Sequence, residues 1–329
     1  MSTNGPGTLV RSLALAGCAL ALGAGLTLAQ KDSKPSQKEI SRELRELYES
    51  DQKDQNDPSW NEETDAEFGR RQTVRRRRVM EIIEAGMLAD LQDWDCAAML
   101  LQHGDGADDY LLAHVLSMPC GIADQASGKF MCAATLDRFL QTVGRPQIFT
   151  TQSGAPDPSV YAPAEPFDDS MSQTLRALFS LPPLPGHEEK TEKKGKGPSP
   201  KDLPRLLELS KKEPATGKDA PEWLQRTRAI ALEGALRSEK DFDIAARILV
   251  TSQWPDDLLQ AHVLAMAAAF KARSPASRAF CAETLDRFLL SLGRKQRFDT
   301  VREDGKPREP RAPLQAFILR EYGLASPAR

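Results

Sequence analysis

An internal repeat constrains the fold of this 329-residue chain more than any other feature. Residues 108–118 align without gaps on residues 256–266, and eight of the eleven positions are identical. Residues 132–151 match residues 281–300 at thirteen of twenty positions, and the offset between the copies changes by one residue. Two matched segments in the same order and at nearly the same spacing predict a tandem duplication of one structural unit.

Each copy has the periodicity of amphipathic helices. In the first copy Cys132, Leu136, Phe139 and Val143 recur at three- and four-residue spacing, which is typical of one apolar helix face. Gly144 follows, where a left-handed residue commonly ends a helix. Aromatic residues make up only 6% of the chain, and the long β-branched runs of a large sheet are missing. We therefore expect an all-α fold with about five helices in each unit.

The first 29 residues have the pattern of a secretory signal. They carry one charge, Arg11, followed by an apolar stretch and by small residues at Thr27 and Ala29. This pattern predicts an exported protein, periplasmic or secreted, that is cleaved after Ala29 and then has no transmembrane span. Cys18 lies in a sequence that fits a lipoprotein box, but the apolar stretch continues past it, which favours cleavage over lipid anchoring.

Changes in composition divide the rest of the chain. Charged residues with Gly and Pro dominate the middle, where almost nothing is available to bury. After the signal peptide over 1–29, we expect a disordered start over 30–38, a first helical unit over 39–185, a flexible charged linker over 186–201, and a second, degenerate helical unit over 202–329.

Several short motifs in the first unit resemble those of a family of uncharacterised bacterial proteins. The motifs are Asp51-Gln52, Ala97-Ala98 followed by Gln102-His103, Asp137-Arg138, Gln147 and Thr151-Gln152. The likeness covers about residues 43–152, although this chain has Phe149-Thr-Thr-Gln where the family usually has Gly before Thr-Gln. The family has no assigned activity, so the resemblance implies candidate positions and no mechanism.

Two of these positions are the candidates for catalysis, His103 and Gln152. The second unit has Thr251 and Val301 at the equivalent positions, and it shows no counterpart of Asp51-Gln52. His103 follows an apolar helix, where it would act either as a cap or as an acid–base group near neutral pH. The ligand-binding candidates are Asp51, Gln52, Gln102, Arg138 and Gln147.

Other polar residues persist in both copies, which favours a structural role for them. Asp137, Arg138 and Gln147 recur as Asp286, Arg287 and Gln296. We expect Asp137 or Arg138 to tie the following loop to the helix end through hydrogen bonds to its backbone. The alternative is a donor-rich corner of Arg138, Gln147 and Gln152 that would suit a carboxylate or a phosphate.

The histidines and cysteines give no metal pattern. His114 and His262 are equivalent in the two copies, which favours packing with a buried hydrogen bond. No spacing matches a metal site, so we expect neither a metal nor a cofactor. The cysteines after the signal are even in number, which permits disulfides, but their apolar helical surroundings favour buried thiols. These cysteines are Cys96, Cys120, Cys132 and Cys281.

The most basic stretch contains Arg70, Arg71 and Arg75 to Arg78, and acidic residues flank it on both sides. This arrangement favours a solvated face whose charges pair with one another over an anion-binding patch. With a net charge of −3 and no aromatic residues interleaved with the arginines, we expect no nucleic-acid partner.

Two classes of function fit the sequence. The favoured one is a non-enzymatic helical binding or scaffold module of the cell envelope, because no nucleophile–base or metal signature is present. The alternative is a small-ligand-binding protein or enzyme with a site in the first unit around His103, Arg138 and Gln152. The partner is accordingly either a cell-envelope protein or a small anionic ligand, and the geometry of those three residues distinguishes the classes.

Overall fold

The described part of the chain is all-α. The computed structural model describes residues 35–57, 62–154, 162–184, 199–213, 215, 219–304, 306–307 and 314–324. The predicted signal peptide, Cys18 and most of the predicted linker lie outside these residues. After the internal sequence repeat, we use the names first repeat and second repeat for residues 37–184 and 200–324.

The helices follow the same order in the two repeats. The first repeat contains α1 (Gln37–Gln55), α2 (Glu62–Glu84), α3 (Leu91–Leu101), α4 (Ala107–Ile122), α5 (Ala126–Thr142) and α6 (Gln173–Leu178). The second contains a 3₁₀ turn (Pro200–Asp202), α7 (Leu203–Lys212), α8 (Glu222–Leu232), α9 (Glu239–Leu249), α10 (Pro255–Ala272), α11 (Pro275–Ser291) and α12 (Ala316–Glu321). Strands β1 (Arg302–Glu303) and β2 (Lys306–Pro307) form a small antiparallel hairpin before α12.

Helix α1 begins earlier than the composition suggests. The Ser36 side chain accepts a hydrogen bond from the Glu39 backbone, and the Glu39 carboxylate accepts one from the Ser36 backbone at 2.7 Å. This reciprocal cap satisfies two amides that a helix start leaves open. The expectation of disorder over residues 30–38 is therefore wrong from Gln37 onward. At the other boundary, Pro200–Asp202 at the end of the predicted linker forms a 3₁₀ turn.

The long central helices match the apolar pattern. Helix α5 buries Cys132, Leu136 and Phe139, and Gly144 beyond its end has a φ of 74°, as the prediction of a left-handed cap requires. Helices α4 and α10 are buried along most of their length because each packs between neighbours in its own repeat and also against the other. All described helices belong to one compact unit, residues 36–329.

The short helix α6 packs against the second repeat. Phe179, just after α6, has its ring 4.6 Å from that of Phe149 and 5.1 Å from that of Phe270 on α10. Phe149 belongs to the first repeat, whereas Phe270 belongs to the second. Helix α6 therefore fills part of the core next to the other repeat.

The short helix α12 makes the reciprocal contact. Tyr322, just after α12, has its ring 4.5 Å from that of Phe298, which is the sequence equivalent of Phe149. Its hydroxyl donates a hydrogen bond of 2.5 Å to the carbonyl of Val115 on α4. Phe317 of α12 also contacts the Trp94 ring of the first repeat, with 5.5 Å between centroids. The two repeats thus share one core and exchange their last helices.

The four cysteines of the described helices are buried and unpaired, as the apolar pattern predicts. Burial raises the pKa of the Cys96 thiol to about 11 and that of Cys120 to about 12, with nearby Asp95 adding to both. These thiols stay protonated and unreactive at neutral pH. Among the described helices, none combines the length and the apolar character needed to cross a bilayer.

Candidate functional site

A buried aspartate–histidine pair joins α1 to the end of α3. Asp51 lies on the inner face of α1 and is 0% exposed. His103 follows the last turn of α3, and its Nδ1 lies 2.9 Å from Asp51 Oδ2. With Asp51 ionised, the Nδ1–H group of His103 donates a hydrogen bond to the carboxylate, which fixes the orientation of the ring. Two sequence candidates that are 52 residues apart thus meet directly.

Two further amides complete the surroundings of Asp51. Gln72 on α2 donates from Nε2 to Oδ1 at 2.7 Å, and Gln52 donates to Oδ2 at 3.1 Å. Burial alone would raise the pKa of Asp51, but the hydrogen bonds from His103 and Gln72 and the charge of Arg75 outweigh it. The pKa therefore lies below its ordinary value, and Asp51 is a carboxylate at neutral pH.

Arg75 lies beside this pair and is only 5% exposed. Its Nη2 donates to the Ser50 carbonyl at 3.1 Å and contacts the Asp54 carboxylate, while its Nη1 lies 3.9 Å from Asp51 Oδ1. That separation exceeds a hydrogen bond, and Nη1 is buried without a hydrogen-bond partner among the described residues. The Asp51 and Asp54 carboxylates therefore compensate the charge of Arg75, while Nη1 keeps a hydrogen-bond donor that none of the described residues accepts.

The sequence pattern missed Gln72 and Arg75 as members of this cluster. Both lie on the buried face of α2, because they precede Val79 and Ile82 at a spacing of three and four residues. That continuation of the apolar stripe into polar residues was the available signal. Gln102, by contrast, directs its amide to Met99 Sδ at 3.3 Å, along its own helix.

The second half of the motif forms a structural clasp. The Asp137 carboxylate accepts hydrogen bonds from the backbone amides of Ile148, Phe149 and Thr151 at 2.8 to 3.0 Å, and from the Thr151 hydroxyl at 2.7 Å. Burial raises the pKa of Asp137, and these four hydrogen bonds oppose the increase. The prediction that Asp137 ties the loop to the helix end is confirmed.

Asp286 makes the same bonds in the second repeat. It accepts from the amides of Arg297, Phe298 and Thr300 and from the Thr300 hydroxyl, the last two at 2.9 and 2.7 Å. Burial likewise raises the pKa of Asp286.

Gln147 supports the same loop. Its Oε1 accepts from the Gln152 amide at 2.9 Å, and its Nε2 donates to the carbonyls of Gln152 and Ala164 at 3.0 and 2.6 Å. Gln296 repeats this arrangement with the backbone of Val301 at 2.7 and 2.9 Å. Both ends of each amide are therefore used within the protein.

Arg138 and Gln152 lie along one side of α5. The Gln152 side chain donates to the Ala134 carbonyl at 3.3 Å and to the Thr151 hydroxyl at 2.9 Å. Arg138 lies 6.0 Å from the Tyr110 ring centroid, and burial lowers its pKa. Tyr110 donates to the Gly104 carbonyl at 2.8 Å, next to His103. Within the described residues, no hydrogen bond joins Arg138 to Gln152 or either of them to His103.

The two repeats meet at a histidine pair. Nε2 of His114 lies 3.0 Å from Nε2 of His262, and both side chains are fully buried. His114 Nδ1 lies 2.9 Å from the Cys132 carbonyl and must donate to it, whereas His262 Nδ1 lies 3.0 Å from the Thr284 hydroxyl. One Nε2 atom therefore donates to the other, and a single hydrogen bond joins the two rings. The predicted packing role with a buried hydrogen bond is confirmed.

The arginines of α2 pair with acidic groups, as the sequence predicts, although most partners come from other helices. Arg76 makes two hydrogen bonds to Asp109 at 2.6 and 2.7 Å. Arg78 makes two to Glu43 at 2.6 and 2.9 Å. The acidic residues of α1 and α4 thus neutralise the basic face of α2.

Two clefts lie outside the motif. One, of about 440 Å³, lies between α1 and α2. Its lining residues are Leu47, Ser50, Glu67, Arg70, Arg71, Val74 and Arg75. The other, of about 410 Å³, lies where the segment before α6 meets α8 and α10. None of His103, Arg138 and Gln152 lines either cleft. Within the described residues, no three acidic, histidine or cysteine side chains are grouped so that they could hold a metal ion.

Comparisons with protein-family models, curated proteins and solved structures found no match to this chain.

Proposed function

We propose that this protein is an exported helical binding and scaffold module of the cell envelope, without a catalytic role. The observation that carries the proposal is the use of the motif's polar groups. The side chains of Asp137 and Gln147 form their hydrogen bonds with backbone groups of the loop that follows α5. Asp286 and Gln296 do the same in the second repeat. Because equivalent residues make the same internal hydrogen bonds in both repeats, we assign these residues a structural role.

We also propose that the chain arose by tandem duplication. Support comes from the matched segments and from the parallel contacts of equivalent residues. The ring pairs Phe149–Phe179 and Phe298–Tyr322 have the same interplanar angle of 52° and centroid distances of 4.6 and 4.5 Å. Export is supported by the signal-like sequence of residues 1–29.

The experiment that tests the structural role of the motif is thermal unfolding of the chain from Gln30 onward. His103→Ala and Gln152→Ala are compared with the parent. Each is expected to lower the stability by about 1–3 kcal/mol, because each leaves a buried partner without its hydrogen bond. His187→Ala, outside the described residues, is the control that removes a histidine. Unchanged or higher stability in both variants would contradict the proposal, since residues kept for function often cost nothing to remove.

A second candidate function rests on the Asp51–His103 pair. The second repeat has no equivalent pair, so the shared fold does not require it. The pair orients the imidazole, and Nη1 of Arg75, which has no hydrogen-bond partner among the described residues, adds a donor nearby. This arrangement suits a small anionic ligand. NMR titration with inorganic phosphate tests it: His103 signals that shift in the parent and not in Arg75→Gln would support this function, and no shift would exclude phosphate.

A further inference from the structure

The cleft between the repeats has the size of a small-molecule site. Its volume of about 410 Å³ falls within the range of known ligand pockets. The segment before α6 forms one wall, and α8 and the beginning of α10 form the other. Both repeats therefore contribute to it, and none of the motif residues is needed there.

The floor of the cleft is apolar. Its lining side chains are Ile148, Met171, Leu175, Ala231, Leu232, Leu259 and Val263. Leu232 remains 45% exposed, although large apolar side chains are usually covered. An uncovered apolar floor in a concave place favours a ligand with an apolar body.

The rim carries more acidic than basic charge. Asp257 is buried and is neutralised by Arg228 through two hydrogen bonds of 2.6 and 2.8 Å. Asp256 contacts Arg145 but keeps a side chain that is 85% exposed. Asp168, across the cleft, is exposed and accepts a hydrogen bond from the Ser170 amide at 2.8 Å. Because Asp256 is paired with Arg145 and Asp257 with Arg228, the uncompensated negative charge among these three residues is that of Asp168, which attracts a cation to the rim.

The equivalent place in the first repeat shows what fits such a rim. By the repeat alignment, Arg297 is the equivalent of Ile148, and Asp108 is the equivalent of Asp256. The Arg297 side chain is 7% exposed, and its Nη2 lies 3.3 Å from the Asp108 carbonyl. The chain thus places a guanidinium group of its own against the first turn of α4, where it donates to the backbone carbonyl of Asp108. At α10 the shorter Ile148 leaves that place open.

We propose that this cleft binds a small organic amine with an apolar body. Asp168 receives the ammonium group, the exposed Asp256 carboxylate, which is shared with Arg145, adds a second acceptor, and the apolar floor receives the hydrocarbon. Trp254 adds an aromatic ring at the rim, with Arg228 5.4 Å from its centroid. The proposal rests on the binding function proposed above, but not on the structural role of the motif.

The test uses phenethylamine as the probe and 2-phenylethanol, of the same shape without charge, as its comparison. Binding to the full chain is followed by NMR at the Trp254 indole, which Trp254→Phe assigns. The amine is expected to bind with a dissociation constant of about 1 mM, and at least about tenfold more tightly than the alcohol. Asp168→Asn and Asp256→Asn should each weaken amine binding about three- to tenfold.

Two further variants complete the design. Ile148→Arg copies the arrangement at Arg297 and should abolish amine binding, provided that its circular dichroism spectrum is unchanged. Glu49→Gln removes an exposed carboxylate on α1, far in sequence from the cleft, and should leave binding unchanged. Equal binding of amine and alcohol would overturn the cationic class. Binding of neither at about 10 mM would overturn the site itself, while leaving the thermal-unfolding test of the scaffold function unaffected.

Discussion

The first and second repeats share one structural feature, the aspartate clasp, and differ in how their first helix is held. Both tie the loop after their last long helix to a buried aspartate, Asp137 or Asp286, with the same set of backbone hydrogen bonds. Only the first repeat also fixes its opening helix with a buried carboxylate, Asp51. In the second, the ten-residue helix α7 buries Leu203, Leu206 and Ser210 instead. The clasp thus recurs in both halves of the described structure, whereas the Asp51 cluster belongs to the first half.

The largest effect is expected from removing the aspartate clasp. Asp137→Ala and Asp286→Ala should each lower the free energy of unfolding by about 3–5 kcal/mol, because each leaves three backbone amides and a hydroxyl without an acceptor. Urea unfolding measures the loss. Glu283→Ala, on the exposed side of α11, is the control and should change stability by less than about 0.5 kcal/mol. A large loss in only one repeat would show that the two aspartates are not equivalent.

The histidine pair predicts how the contact between the repeats depends on pH. Burial lowers the pKa of His114 to about 4 and lowers that of His262 further, with His114 adding to the effect. Both rings are neutral in the folded chain and become charged in the unfolded chain below its pKa of about 6.5. The unfolded state then binds more protons, so the stability that is present above about pH 6.5 is lost as the pH falls.

The measurement is the slope of the unfolding free energy between about pH 6 and 5. The parent should lose up to about 2.7 kcal/mol per pH unit through these two groups, since each contributes about 1.4. The double variant His114→Gln/His262→Gln should lack that part of the slope. Equal slopes in the parent and the double variant would contradict this prediction, because they would mean that both rings are already charged in the folded state.

The Asp51 cluster predicts a smaller, one-sided effect. Gln72→Ala introduces the residue that the repeat offset places in the second copy, Ala220, and removes a hydrogen bond to Asp51. We expect a loss of about 1–2 kcal/mol. A double-mutant cycle with Asp51→Asn checks the cause, because Gln72→Ala should cost less when the carboxylate is absent. Independent losses would separate Gln72 from the cluster.

The smallest effect is expected at matched helix starts. The Asp90 side chain accepts from the amides of Gln92 and Asp93 at the start of α3, and Ser238 caps α9 in the second repeat. Asp90→Ala and Ser238→Ala should each cost about 1 kcal/mol in thermal unfolding. A marked difference between the two losses of stability would mean that the two caps do not stabilise their helices equally.

Much of the fold could be predicted from local pattern. The stripe from Cys132 to Val143 predicted α5 and its end at Gly144, because helix periodicity and a left-handed cap are local properties. Equivalent residues in two copies also separated structural roles from special ones, and Asp137 and His114 behave as that comparison predicts. The sequence does not predict a contact whose two residues lie far apart in the chain.

The candidate site illustrates those limits. Asp51 and His103 were both candidates, but their direct contact depends on how α1 lies across α3, which no spacing reveals. Arg75 was expected on a solvated face, yet it lies with Gln72 on the buried side of α2. The histidine pair was predicted to form buried hydrogen bonds, but that the two rings bond to each other follows only from the meeting of α4 and α10.

The exchange of the short helices has a consequence for how the chain acquires its structure during synthesis. The carbonyl of Val115 receives its hydrogen bond from Tyr322, which is 207 residues later in the chain. The first repeat therefore emerges from the ribosome well before the side chains that complete its core. Part of the surface of α4 and the Trp94 ring therefore lack these partners until the second repeat has been made. A chain released before α12 would expose the apolar surface that Tyr322 and Phe317 cover.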